Sequence, residues 1–275
     1  MAIIKTARAQ KNEGRAAMVN SVGLKAPLTW LKKAVSDMIT CPTLAAFYGI
    51  LFTFITYVLW DLLSQSEALH DVAVPLIAML ILVLGPISAL SLYDVSRRTS
   101  KGEIPTLSSV LKAGVKSSGS CPSVLLSVIL IILALMWMLF SPLIYAVFTA
   151  GSLHIVGPDQ SIAQGIVSDV SNGNNMGFII AYFIFTSVVG IVAFMISWFS
   201  FPMVLDQDVD PLTAVTTSLR AAMSNKLVMI LWIAIVGVLI LFSLFTPYFV
   251  GLVVVVPLLA HATWYAYKDM INNID

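Results

Sequence analysis

Apolar residues in this chain are gathered into runs long enough to cross a bilayer, and every Lys and Arg falls in alternate gaps between those runs. A bilayer core of about 30 Å takes roughly 20 helical residues at 1.5 Å each. Six segments reach that length, approximately 43–60, 73–93, 124–150, 177–204, 227–245 and 248–267. The last two form one apolar stretch too long for a single crossing, and Thr246-Pro247 is its expected turn, because proline disfavours helix in the residue before it. In hydrocarbon a spanning segment must satisfy its own backbone, so these runs read as α-helices.

The cations are Lys5, Arg8, Lys11, Arg15, Lys25, Lys32 and Lys33, then Arg97, Arg98, Lys101, Lys112 and Lys116, then Arg220 and Lys226, and finally Lys268. The opposite gaps hold Asp61, Glu67, Asp71, Asp159 and Asp169 and no cation. Positive loops stay on the cytoplasmic side, which places both termini there. The formal net charge of +1 hides this split and gives no support to nucleic-acid binding. Hydrophobic residues at 59% and charged residues at 11% exclude an ordinary soluble domain. Residues 1–25 are polar and cationic without a sustained apolar face and read as a cytoplasmic, disordered or weakly helical tail, leaving 26–275 as the membrane domain. No secretory signal peptide is evident, so the first membrane helix is expected to target the chain. Cys41 and Cys121 both fall on the side where thiols stay reduced, and no disulfide is expected.

A unit of one interfacial helix followed by two membrane helices recurs three times. The first copy opens at Pro27-Leu28-Thr29 and lines up Leu28, Leu31, Ala34, Val35, Met38 and Ile39; the second opens at Pro105-Thr106-Leu107 and lines up Leu107, Val110, Leu111, Gly114 and Val115. The third opens at Pro211-Leu212-Thr213 and lines up Leu212, Val215, Leu219, Ala222 and Met223, with Thr213, Thr216, Thr217 and Arg220 opposite. Each is amphipathic at the helical period with proline in its first turn. Pro86, Pro202 and Pro257 sit at matching places in the even-numbered membrane helices, where each should bend the helix toward neighbours that re-satisfy the freed backbone. The expected fold is therefore an all-α polytopic membrane protein, with six transmembrane helices, three cytoplasmic amphipathic helices and a threefold internal repeat.

Residues that could carry chemistry are sparse. No charge lies near the centre of a membrane segment, which argues against ion coupling. Span hydroxyls such as Thr53, Thr56, Ser88, Ser127, Ser141, Thr186 and Ser243 read as bonded to the preceding turn or a neighbouring helix. His70 and His154 lack partner ligands at metal spacing. His261, beside Trp264 and Tyr265, reads either as a histidine satisfied within the bundle or as a ligand. The two Cys-Pro pairs are accounted for by helix-start proline. Asp206-Gln207-Asp208-Val209-Asp210-Pro211 lacks the glycine and distal glutamate of a calcium loop, and Asp210 reads as the N-cap of the helix that follows. No hydrolase elbow, phosphate loop, dinucleotide fingerprint or zinc-protease helix occurs, so no catalytic residue, cofactor or metal is expected.

The block Gly85-Pro86 through Ala89-Leu90-Ser91-Leu92-Tyr93-Asp94-Val95-Ser96-Arg97-Arg98, with Gly102-Glu103, resembles an uncharacterised bacterial integral-membrane family, domain of unknown function 2189. A second block comprises Phe201-Pro202-Met203, Leu205-Asp206, Ala214, Ser218, Asn225 and the ending Pro257-Leu258-Leu259-Ala260-His261-Ala262-Thr263-Trp264-Tyr265-Ala266-Tyr267-Lys268. The resemblance implies a bacterial inner-membrane protein of about six helices with no established activity. It singles out Tyr93, Asp94, Arg97, Arg98, Asp206, His261 and Trp264, all at the cytoplasmic ends of even-numbered helices. They could line an inner-face pocket, or serve as packing glue between repeats. The expected function is a non-enzymatic scaffold or lipid-interacting assembly factor whose partners are membrane lipids, anionic ones among them, and a membrane protein. The alternative is a channel or uncoupled transporter for a small solute.

Overall fold

The computed structural model describes residues 18–65, 77, 85–149 and 176–271. Among them every regular element is a helix: α1 (Ala26–Thr40), α2 (Pro42–Ser64), α3 (85–99), α4 (Leu107–Ser118), α5 (Cys121–Thr149), α6 (Met176–Ser197), α7 (Ser200–Gln207), α8 (Pro211–Ser224), α9 (Lys226–Phe245) and α10 (Leu252–Met270), with a 3-10 turn at Pro247–Phe249. Four described segments are long and apolar enough to cross a membrane: Pro42–Ser64, Cys121–Ser141, Met176–Gln207 and Lys226–Phe245. Much of the expected second span, the loop at 151–175 with its amphipathic stretch, His70, His154 and residues 1–17 lie outside the described residues.

The chain forms two compact units. The first comprises Met1–Tyr57, Leu84–Val128 and Met195–Asp275, and the second Val58–Val83 and Ile129–Phe194. In the second unit, Trp137 Nε1 donates to Thr186 Oγ1 at 3.0 Å, with Phe140 and Phe185 6.2 Å apart beside them. That indole bond is the interhelical use of a span hydroxyl expected from the sequence, and Ser141 likewise bonds the carbonyl of Trp137 at 2.6 Å.

The candidate spans keep most of their apolar surface outward, while the enclosed core of the first unit mixes large apolar side chains with a smaller set of polar ones. The strongly apolar windows of the four candidate spans are a third buried at most. The most enclosed stretches set polar groups among apolar ones: 89–96 in α3, Ser200–Val204 in α7, and His261, Trp264 and Tyr267 in α10. Apolar side chains facing outward are costly in water but matched in lipid, and buried polar groups must then find protein partners.

The kink prolines show how that matching is done. Pro202 has no N–H to give to the carbonyl four residues back, and the helix breaks at Trp198-Phe199 between α6 and α7. The apolar segment expected over 177–204 thus stands as one candidate span, with its bend close to Pro202. Ser218 of α8 repairs the interruption, accepting from the Phe199 N–H at 3.1 Å and donating to the Met195 carbonyl at 2.6 Å. Pro202 and Pro257 are both buried.

The three helices expected to be amphipathic start close to where the sequence put them, and each splits its apolar stripe, α4 burying Val110 and Gly114 while Val115 is exposed. α1 buries Pro27, Trp30, Ala34 and Asp37 and leaves Leu28, Val35 and Ile39 exposed. α8 buries Ala214, Thr217, Ser218, Ala221 and Ala222 and exposes Leu212 and Met223. Pro105 precedes the Thr106 N-cap of α4 and so lies outside its first turn, a correction of one residue in kind. Each amphipathic helix runs straight into an apolar one, through Cys41, through Gly119-Ser120 and through Asn225. The Cys41 and Asn225 joints share backbone geometry (φ −126°, ψ 60° and φ −122°, ψ 43°), and both donate their N–H four residues back.

Val19, Asn20 and Val22, which composition groups with the tail, pair with the end of α10 and with the joint between α8 and α9. Val19 bridges Ile271, Asn20 N–H donates to the Met270 carbonyl at 2.8 Å, and Val22 N–H donates to Asn225 Oδ1 at 2.9 Å.

Two tests follow from this packing. A β-carbon on Gly49 would sit 2.0 Å from the Val253 carbonyl oxygen, whereas one on Gly190 meets nothing within 4 Å. Gly49→Ala should therefore lower thermal stability in detergent by more than 1 kcal/mol, and Gly190→Ala should leave it equal or higher. Asp210 does cap α8, accepting from Thr213 N–H at 2.9 Å. Partial burial acts to raise its carboxyl pKa, but the hydrogen bonds from Thr213 and Leu212 outweigh it and hold the group below its ordinary value. Its contribution is present above the ordinary carboxyl pKa and is lost as pH falls through the lowered one. Asp210→Ala should cost about 1 kcal/mol at neutral pH, and the difference from wild type should shrink below about pH 4.

Candidate functional site

The strongest concentration of buried ionisable and hydroxyl groups joins α1, α3 and α10. Asp37 enters from α1, one turn before the Cys41 joint, and is 5% exposed. Ser96 Oγ donates to Asp37 Oδ2 at 2.6 Å, and Tyr265 OH lies 2.9 Å from each carboxyl oxygen. Thr99 Oγ1 is 3.1 Å from Oδ1, and Lys33 Nζ sits 5.4 Å above the Tyr265 ring. His261 Nδ1 is 2.7 Å from Ser96 Oγ and 3.8 Å from Asp37 Oδ2. Ser96 has one hydrogen, and Asp37 takes it, so the histidine hydrogen is assigned to Nδ1, donating to Ser96. That leaves Nε2 as an acceptor, enclosed and without a hydrogen-bond partner among the described residues.

A serine, a histidine and an aspartate in contact invite comparison with a nucleophilic triad, but their order differs. In a triad the imidazole lies between carboxylate and nucleophile and removes the nucleophile's proton. Here the serine lies between the other two and donates to the carboxyl, so the imidazole is not placed to activate it. The arrangement is a polar latch that holds three helices together.

A second cluster surrounds Asp94, which is fully buried. Arg98 Nε donates to Asp94 Oδ2 at 2.7 Å, and Arg97 Nη2 pairs with Oδ1 from the previous turn. Arg97 Nη1 also reaches the Leu205 carbonyl at 3.5 Å, tying α3 to α7. A third cluster joins α7 to α10: Tyr267 OH donates to Asp206 Oδ2 at 3.0 Å, Lys268 Nζ pairs with the same oxygen at 3.0 Å, and Gln207 Nε2 donates to Tyr267 OH at 2.8 Å. Tyr93 stacks on Trp264 with centroids 6.4 Å apart, and Trp264 meets Tyr267 at 5.5 Å.

The seven residues picked out from the sequence are thus distributed over neighbouring clusters. Tyr93 and Trp264 touch each other, Asp94, Arg97 and Arg98 form one network, Asp206 pairs with Tyr267 and Lys268, and His261 pairs with Ser96 and Asp37. Sequence reasoning missed Asp37, Thr99 and the role of Tyr265. The available signal was an aspartate on the face of α1 occupied by Trp30 and Ala34, at the spacing that buries both. Among the described residues no group of three or more His, Cys, Asp or Glu is arranged to hold a metal ion.

The apolar helices left exposed, the polar groups paired inside and the backbone repaired at a broken span together define a polytopic integral membrane protein. Residues 73–206 match the model of the family described as predicted integral membrane protein, domain of unknown function 2189, the family that the sequence blocks resemble. The match takes in α3, α4 and the helix interrupted before Pro202; α8 and the His261-Ala262-Thr263-Trp264 string lie beyond it. No curated protein matches the chain, and no solved structure does.

Removing the Asp37 carboxyl leaves Ser96 and Tyr265 without their shared acceptor. Asp37→Ala should destabilise by on the order of 3 kcal/mol, and Asp37→Asn by less, in thermal unfolding of detergent-solubilised protein. An unchanged midpoint for Asp37→Ala would remove the latch from the account. The two thiols should also separate in reactivity. Cys121 is exposed, whereas Cys41 is buried, with its thiol pKa pushed up by burial and by the nearby Asp37 charge. A maleimide should modify Cys121 at least ten times faster than Cys41, read by mass spectrometry of single-cysteine variants.

Proposed function

We propose that this chain is a non-enzymatic inner-membrane scaffold that grips the cytoplasmic leaflet through α1, α4 and α8, with six spans and both termini in the cytoplasm. One observation carries the reading. The amphipathic helices turn Leu28, Val35 and Ile39, Val115, and Leu212 and Met223 outward, beside exposed Lys25, Lys32, Lys33, Lys112, Lys116, Arg220 and Lys226. An apolar stripe flanked by cations suits the headgroup boundary, where side chains reach hydrocarbon and each cation near an anionic surface contributes about 1 kcal/mol.

The shared geometry of the Cys41 and Asn225 joints, each linking an amphipathic to an apolar helix, supports a repeat. On this reading Tyr93, Asp94, Arg97, Arg98, Asp206, His261 and Trp264 act as glue that fixes the even-numbered helices, which in turn hold the amphipathic helices at one depth. The scaffold role extends to a membrane-protein partner.

Lipidomics of the full chain extracted in native nanodiscs tests the proposal. Anionic phospholipids should be enriched at least twofold over the surrounding membrane, and replacing Lys32, Lys33, Lys112 and Lys116 together by Gln should abolish that enrichment. Equal lipid composition in both would count against the lipid role. Saturable solute flux in reconstituted vesicles would favour the channel reading instead.

A further inference from the structure

A groove of about 310 Å³ lies between α2 and the turn into α10, lined by Ile50, Thr53, Phe54, Tyr57, Tyr248, Val250 and Val253. We propose that it binds one acyl chain of a membrane phospholipid, a site separate from the amphipathic helices and independent of the scaffold reading.

Orientation and depth are the first argument. Ile50, Phe54 and Tyr57 repeat at helical spacing along one face of a candidate membrane span, so the groove runs along the helix axis for about 10 Å, as an acyl chain runs along a bilayer. Asp61 follows Tyr57 by one turn on the same helix, and Tyr57 meets Tyr248 ring to ring at 5.7 Å. The groove therefore opens at the depth where tyrosine belts and lipid headgroups meet, and its far end reaches hydrocarbon.

The lining chemistry is the second. Apart from Thr53 and the two tyrosines the described lining is apolar, and the Thr53 hydroxyl oxygen is itself covered. A polar solute would lose its hydration there without compensation, whereas a hydrocarbon chain would not.

The third is that the walls are fixed. Gly49 lets α2 approach the Val253 backbone more closely than any β-carbon allows, and Gly251 does the same against Ser243. Tyr248 and Phe249 hold consecutive left-handed conformations (φ 54° and 59°), an unfavourable geometry for non-glycine residues that sets Tyr248 against Tyr57. A groove with preset walls retains a chain that a mobile lipid-facing surface would exchange.

Native mass spectrometry of the full chain, released from nanodiscs of phosphatidylethanolamine and phosphatidylglycerol, tests this. Wild type should retain one phospholipid more than Ile50→Trp or Val250→Trp, each of which fills the groove from a position that is already exposed. Val238→Trp, on the exposed side of α9, should retain the wild-type number. Thermal unfolding identifies the folded variants, and two groove positions guard against one of them misfolding. Equal retention in groove and control variants would overturn the proposal, as would a wild-type dimer that Ile50→Trp converts to monomer, since a second copy of the chain would then cover the groove. A wild type that shows no anionic-lipid enrichment yet retains the one phospholipid would reject the scaffold reading and leave this site standing.

Discussion

Hydrocarbon offers no hydrogen bonds, and the first unit is arranged around that fact. A membrane helix interrupted before Pro202 exposes an N–H and a carbonyl that water would cover in a soluble protein. Ser218 supplies both partners from a different helix. The same demand accounts for Asn225, whose amide group serves the end of α8 and the backbone of Asn20 and Val22 together. Span hydroxyls follow it too: Ser127 and Ser243 bond the preceding turn, while the Thr53 and Thr56 oxygens are enclosed without a hydrogen-bond partner among the described residues.

Polar closure also accounts for the few carboxylates that the first unit covers. Asp37, Asp94 and Asp206 each draw donors from the same or neighbouring helices, so each is more firmly placed by its partners than an isolated charge would be. Such pairs add little net stability compared with apolar packing, but they reject alternatives, because a helix that slipped or rotated would leave a buried carboxyl unpaired. In a lipid setting, where apolar surface gains nothing by choosing protein over acyl chains, this selectivity is a main source of a unique arrangement.

The three helices that open near a proline were legible as helices, and the structure adds which of their residues face inward. Helix α1 turns Trp30, Ala34 and Asp37 inward and leaves Leu28, Val35 and Ile39 out. On α8 the small residues Ala214, Ser218, Ala221 and Ala222 allow close approach to the neighbouring helices, while Leu212 and Met223 stay exposed. Periodicity reports that two faces differ, not which solvent each meets.

By itself the sequence determined the class of fold, the helix starts at Pro42 and Pro211, the turn at Thr246-Pro247, the Asp210 cap and the need for partners near Pro202. These depend on hydropathy, proline geometry and local hydrogen bonding, which act within a few residues. Tertiary structure alone decided that Asp37 meets Ser96 and His261, that Trp30 reaches Asp269 and that Val19 pairs with Ile271. Those partners lie far apart along the chain, and no local preference of either residue encodes the other. The packing that brings them together is a collective result of every helix satisfying its buried polar groups at once.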